Sequence, residues 1–275
     1  MGSGKKKHVL VCPLNWGIGH ATRCIPLISS ILSQGANVTL ATSGNSLALL
    51  HNEFPGLATI EFPGFSPEYP ANGNMLLNMV RLIPSFLWNV VSEHRRLARI
   101  IHEKQVDIVI SDNRYGVWNS KVKSILITHQ LFIRSPKGWS WMNYILLLVN
   151  RLFISQFDEC WIPDFPGKEN LSGELSHLKP APKNCHFIGP LSRLKAGYDF
   201  QGKKEGILVL LSGPEPQREM LEDIITRQLE ELDMEALIVC GKAFSVPLTT
   251  RKSKLTILNY ATSDQINEYI NNFPW

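Results

Sequence analysis

Cysteine is scarce in this 275-residue sequence: there are five, Cys12, Cys24, Cys160, Cys185 and Cys240, and no two stand in a Cys-x-x-Cys spacing. An odd, unclustered set argues against a disulfide framework and against a zinc site. Cys12, Cys160 and Cys240 lie in apolar runs, where a thiol behaves as a small buried hydrophobe, so a reducing, cytoplasmic setting is expected. No apolar run is long and clean enough to span a membrane, because the longest, over 139–157, is broken by Asn143, Asn150 and Arg151. No secretory leader is expected either, since the apolar stretch after Lys5, Lys6 and Lys7 stops at Asn15. The sequence has no Asp-x-Asp pair and no His/Cys cluster, so neither a metal nor any other cofactor is expected. Its net charge is only +4 and no Lys/Arg stripe interleaves with aromatics, which sets nucleic acid aside as a partner.

What is present points to a packed α/β protein. Hydrophobic residues make up 44% and charged residues 19%, enough for a sizeable core, and the length suits two domains rather than one. Short apolar runs over 8–14, 37–42, 57–62, 106–111, 124–128, 160–163 and 186–188 read as buried parallel strands. Helical periodicity falls between them over 21–34, after Ser43-Gly44-Asn45, over 75–105 with a break or kink at Pro84, and over 139–157. The polar stretch 193–205 reads as a linker, after which the pattern restarts: strands over 206–211, 236–239 and 255–258, helices over 217–232 and 264–270. The expected architecture is two Rossmann-like doubly wound domains, 1–192 and 206–275, the second incomplete. Half a doubly wound sheet leaves an open edge, so a longer parent protein is expected.

Ligands of such folds gather at the carboxyl edge of the sheet, where strands turn into helices. The first such turn reads Asn15-Trp16-Gly17-Ile18-Gly19-His20-Ala21-Thr22-Arg23. Thr22 takes the place of the third glycine of a dinucleotide fingerprint, and the second strand ends in Ala41-Thr42-Ser43 with no carboxylate for a ribose, so NAD is disfavoured. What remains is His20 at a helix N-terminus, where the dipole disfavours an imidazolium and leaves a ring able to accept a proton. Asp112 emerges at the same edge after 106–111 and could fix the ring's tautomer, or could simply turn its own loop. Gly17, Gly19, His129 and Gln130 reach this edge as candidate acceptor-binding residues. Arg23 and Arg114 could meet an acidic substrate or be surface charges. In the second domain Ser212, Gly213 and Arg218 stand where a helix N-terminus could hold a diphosphate, or form an ordinary turn. The stretches 75–91 and 139–157 are richer in Leu, Ile, Met and Trp than one buried face requires. Burial as a pair of core helices is the default. The other reading is a peripheral membrane surface for a lipid-linked acceptor, with Arg81, Arg134, Lys137 and Arg151 near anionic headgroups.

These turns resemble those of the GT-B glycosyltransferases, especially family 28, which includes the peptidoglycan N-acetylglucosaminyltransferase. Gly19-His20 looks like the Gly-His that ends that family's first glycine-rich loop. His129 matches the first residue of its His-Glu-Gln-Asn run, whereas Gln130 and Leu131 stand where the glutamate and glutamine would be. His20 with Asp112 is similar to the histidine and aspartate of plant-type enzymes of the fold. The resemblance implies metal-independent transfer from a nucleotide sugar, expected to be a UDP-sugar, to an acceptor hydroxyl with inversion, His20 acting as general base. The family's donor motifs would lie beyond Trp275, so the chain alone is expected to be inactive. The alternatives are a nucleotide-sugar 2-epimerase using Asp112 and Glu215, and a non-catalytic subunit that binds sugar nucleotides or recruits to membranes.

Overall fold

A computed structural model of the chain describes residues 6–65, 75–133, 135, 139, 141–177, 181–195, 206–213, 215–232, 234–243 and 248–273. The first sheet holds β1 (His8–Pro13), β2 (Asn37–Thr42), β3 (Ala58–Glu61), β4 (Ile108–Asp112), β5 (Lys123–Ile127), β6 (Glu159–Ile162) and β7 (Cys185–Phe187). They pair in the order β3-β2-β1-β4-β5-β6-β7, every pair parallel. The strands are nearly uninterrupted apolar runs because helices cover the sheet on both faces: Leu10, Val11 and Cys12 have no exposed surface. Burying a Leu or Val side chain this fully stabilises by about 1.5–3 kcal/mol. Helix α1 (Gly19–Ser33) packs through Ala21, Cys24, Ile25 and Ile28, the i, i+3, i+4, i+7 spacing of one helical face. With α2 (Gly44–Glu53) it covers β1 and β2, while α3 (Met75–Lys104) packs Leu97 and Ile100 beneath the opposite face. Then come α4 (Met142–Ile154) and α5 (Glu174–His177).

The strand order reverses between β1 and β4, which pair directly with Pro13 opposite Asp112. That reversal point is where an open α/β sheet forms a crevice. The turn after β1 and the end of β4 are therefore neighbours although about a hundred residues separate them.

A second sheet, ordered β10-β11-β9-β8, contains β8 (Ile207–Leu210), β9 (Ala236–Val239), β10 (Thr249–Lys252) and β11 (Leu255–Leu258), with helices α6 (Gln217–Leu232) and α7 (Ser263–Asn272). Here β8, β9 and β11 run parallel, and β10 folds back antiparallel on β11.

The expected element order holds, with differences that have physical causes. Pro84 lies inside a single helix rather than at a break. Its ring removes one backbone donor, and it lies on an exposed stretch of the helix. Strand β10, Thr-Thr-Arg-Lys, carries no apolar alternation and is exposed throughout, so it forms only by pairing with β11. Of the linker expected over 193–205, residues 196–205 lie outside the described set.

Among the contacts that join the two sheets, two bear on the cleft. Glu53, at the end of α2, accepts from the Tyr260 hydroxyl at 3.1 Å and from the Ser263 amide and hydroxyl at 2.8 and 2.9 Å, so it caps the start of α7. The second meeting is between backbones. Gly17 has φ +70, and a Cβ there would stand 3.3 Å from the carbonyl carbon of Gly213. Both the conformation and the close approach call for glycine.

Candidate active site

Asp112 ends β4 with its carboxylate wholly buried. The leucine that follows β1 is tied to it, Leu14 donating its amide to the Asp112 carbonyl at 3.1 Å. The chain then turns through Gly17 into α1, and the first two turns of that helix present His20 and Arg23, three residues apart and so on one face. His20 Nδ1 lies 3.0 Å from Asp112 Oδ1. Arg23 grips the same carboxylate with a two-pronged fork, Nε donating to Oδ2 at 2.5 Å and Nη2 to Oδ1. Its Nη2 also stands 2.8 Å from His20 Nδ1, and its Nη1 3.2 Å from His129 Nδ1.

Burial alone would push the Asp112 carboxyl up, but the Arg23 guanidinium and His20 together outweigh it and hold the group at about 2. His129 sits below the ordinary histidine value, first because burial disfavours its charged form and then because Arg23 and His20 face it. The structure thus brings together His20, Asp112 and His129, and adds Arg23 as the group that joins them.

The other candidates fall into place around this centre. Thr128 ends the β5 turn, its hydroxyl accepting from the Gln130 amide at 3.0 Å and donating to Asn113. Buried Asn150 of α4 holds the carbonyls of Gln130 and Leu131 at 2.8 and 2.9 Å, so the Gln130 backbone is fixed beside the cleft. Gly19 and Ser212 line a cavity of about 120 Å³ between the two sheets, together with Thr22, Arg193, Gly241 and Tyr260. Gly213 backs against Gly17 at its rim. Arg218 is turned inward instead: it is 5% exposed and its donors are spent on Glu215, Glu222 and the Cys240 carbonyl. Arg114 is neither a surface charge nor free for substrate. It pairs with buried Glu93 at 2.9 Å and donates to the Phe62 carbonyl at 3.0 Å. Among the described residues, no three His, Cys, Asp or Glu side chains gather as a metal site would require.

No family model matches the chain. A curated relative, an uncharacterized glycosyltransferase of Methanosarcina mazei, is 25% identical over 203 residues, which are 68% of this chain and 51% of the relative. The chain thus spans about half the length of the curated relative it matches. Among solved structures, UGT89C1 of Arabidopsis thaliana, in complex with UDP-L-rhamnose, superposes with a TM-score of 0.52 at 16% identity, over 94% of this chain and 70% of that one. The glycosyltransferase SnogD of Streptomyces nogalater does so with a TM-score of 0.51 at 13% identity, over 94% of this chain and 73% of that one. The chain has the GT-B glycosyltransferase fold.

Three residues of this centre, Arg23, Arg193 and Glu53, take roles that the sequence does not spell out. From the sequence Arg23 reads as a substrate partner or a surface charge, and only its i, i+3 spacing from His20 signals that both lie on one side of α1. Arg193 and Glu53 had no local signal, because each acquires its role only when the second sheet closes against the first.

Asp112 gives a measurable signature. Its folded value near 2 lies below the ordinary 3.8, so its ionised form stabilises the fold above about pH 4, and that contribution is lost as pH falls through about 2. The shift corresponds to about 2 kcal/mol. Urea midpoints measured from pH 5 down to pH 2 should fall more steeply for the wild-type chain than for Asp112→Asn. Parallel curves would show that the carboxylate is not held this way.

Proposed function

We propose that the chain is the acceptor-side part of a nucleotide-sugar-dependent glycosyltransferase that works with inversion, His20 being the general base. The observation that carries this reading is the His20–Asp112 pair at the reversal of the strand order. With Nδ1 turned to the carboxylate, Nε2 is the ring nitrogen available to a hydroxyl in the cleft. As the acceptor oxygen forms its bond to the anomeric carbon, Nε2 takes the hydroxyl proton. The bond from that carbon to the phosphate oxygen breaks, and the electron pair leaves with the nucleoside diphosphate. A UDP-sugar is the proposed donor, its diphosphate lying toward Ser212, Gly213 and Arg193, where backbone amides at the start of a helix and one cation suit an anion. Gly17, Gly19, His129 and Gln130 are proposed to line the acceptor side. Among rival readings, an epimerase would need Asp112 and Glu215 as proton shuttles, yet each is held by an arginine.

A general base of this kind contributes about 10²–10⁴-fold to the rate. In the complete transferase, His20→Ala should therefore cut transfer by that order while UDP binding, read by calorimetry, stays unchanged. Transfer within a few-fold of wild type would remove His20 from the role.

A lipid-linked acceptor and contact with a membrane surface form the second part of the proposal. The helices expected to bury their apolar residues as a core pair do so only in part: Ile154 and Phe157 are buried, but Trp88 is 71% exposed, Tyr144 67%, Leu152 66% and Trp141 63%, with Ile83, Leu87, Ile145 and Leu148 also open. Phe86 of α3 and Phe153 of α4 meet edge to face with centroids 6.0 Å apart, which joins the two helices into one surface. Arg81 is exposed on α3 and Arg151 half-buried on α4, while Arg134 and Lys137 lie outside the described residues. Exposed tryptophan and tyrosine over aliphatic side chains suit the interfacial zone of a bilayer, and among the described residues no helix is long and apolar enough to cross one. The chain should co-sediment with phosphatidylglycerol vesicles, and Trp88→Ser with Tyr144→Ser should abolish this without unfolding it. Failure of the wild-type chain to bind such vesicles would end this part of the proposal and leave the base assignment intact.

A further inference from the structure

We propose that Arg23 is a positioning residue that decides which nitrogen of the His20 ring carries the proton, and so whether the ring can act as a base. The proposal rests on reading His20 as that base and adds a control that the bare histidine–carboxylate pair lacks.

A neutral imidazole has one N–H and one lone pair. When Nδ1 donates to Asp112, Nε2 keeps its lone pair and can take a proton from a hydroxyl. When Nδ1 accepts instead, the proton sits on Nε2 and the ring can only donate. In this structure two opposite partners compete for Nδ1: Asp112 Oδ1, an acceptor, at 3.0 Å and Arg23 Nη2, a donor, at 2.8 Å. The guanidinium is permanently charged. It occupies both carboxylate oxygens, so it also competes with Nδ1 for the lone pairs of Asp112.

The titratable and charged groups facing this pair come from three elements. Arg23 and Cys24 belong to α1, the Cys24 thiol lying 3.7 Å from Asp112 Oδ2. Asp112 ends β4, and His129 follows β5 with Asp164 acting on it from a distance. Of these, only Arg23 touches His20, Asp112 and His129 together. A merely structural arginine would hold Asp112 in place without reaching the histidine nitrogen.

The experiment is long-range proton–nitrogen NMR of the ¹⁵N-labelled chain, which reads the protonated ring nitrogen directly and needs no turnover. Wild type should show both forms, the Nδ1–H share being the ring that can act as a base and the Nε2–H share the ring turned to Arg23. In Arg23→Met the ring should pass to the Nδ1–H form, because the competing donor is gone and the carboxylate is left free to accept from Nδ1. Arg23→Lys, which keeps the charge but loses the fork, should fall between the two and supplies the same readout if Arg23→Met does not fold. An unchanged tautomer in both variants would overturn the proposal. The two readings fail separately: undiminished transfer by His20→Ala removes the base and leaves the tautomer result standing, whereas an unmoved tautomer removes the role of Arg23 alone.

Discussion

A carboxylate with no exposed surface is tolerable only when opposite charge and hydrogen-bond donors reach it, and the centre of this protein is arranged to supply both to Asp112. Burying a carboxyl at the end of β4 requires that β1 lie beside it, that the chain turn at once into α1, and that the first two turns of the helix carry an imidazole and a guanidinium on one face. Each requirement is met by a local choice: apolar strand sequences, a glycine with positive φ at position 17, and the three-residue spacing of His20 and Arg23. The same solution recurs at the carboxyl edge of the sheet. Arg114 is locked to buried Glu93, and buried Asp164 gathers the amides of Phe165, Leu171 and Ser172 at 2.7, 2.8 and 2.9 Å with His177 at 3.2 Å. Fixed charges thus shape the loops from which a ligand site is made, while the strands below supply the apolar burial that holds them.

How far this was legible in the sequence depends on whether the information was local. Strands such as Asn37–Thr42 and helices such as Gln217–Leu232 fall where the hydrophobic pattern places them, because each buries a run of neighbouring residues. Strand β10 had no such signal, being polar and exposed, and α5 is a single turn of four residues. The meeting of His20 and Asp112 could be anticipated from strand order alone. The part of Arg23 could not, since the partner of an arginine is settled by three-dimensional neighbours. Periodicity likewise announces that α3 and α4 are apolar but not which residues face outward. The exposed Trp88 and Tyr144 become visible only once the sheet has taken the positions it needs.

The division of labour within the fold follows. The first sheet carries the proposed base and, on α3 and α4, the apolar surface proposed to meet a membrane. The second sheet contributes the turn around Gly213, which Gly17 faces, and the start of α7, which Glu53 holds against the first. The cavity between the two sheets lies between these anchors, so a donor phosphate placed there would sit within reach of both. Charge and shape at this junction are what the residues on either side are suited to provide.

The central claim is that a base on the first sheet delivers an acceptor hydroxyl to the far side of the sugar from its leaving diphosphate. Its most direct test is the anomeric configuration of the transferred sugar, read from the H1–H2 coupling in the proton NMR spectrum of the product that the proposed transferase forms. The account predicts inversion relative to the donor. Retention would contradict it, because a product of unchanged configuration cannot arise from a single attack assisted by His20.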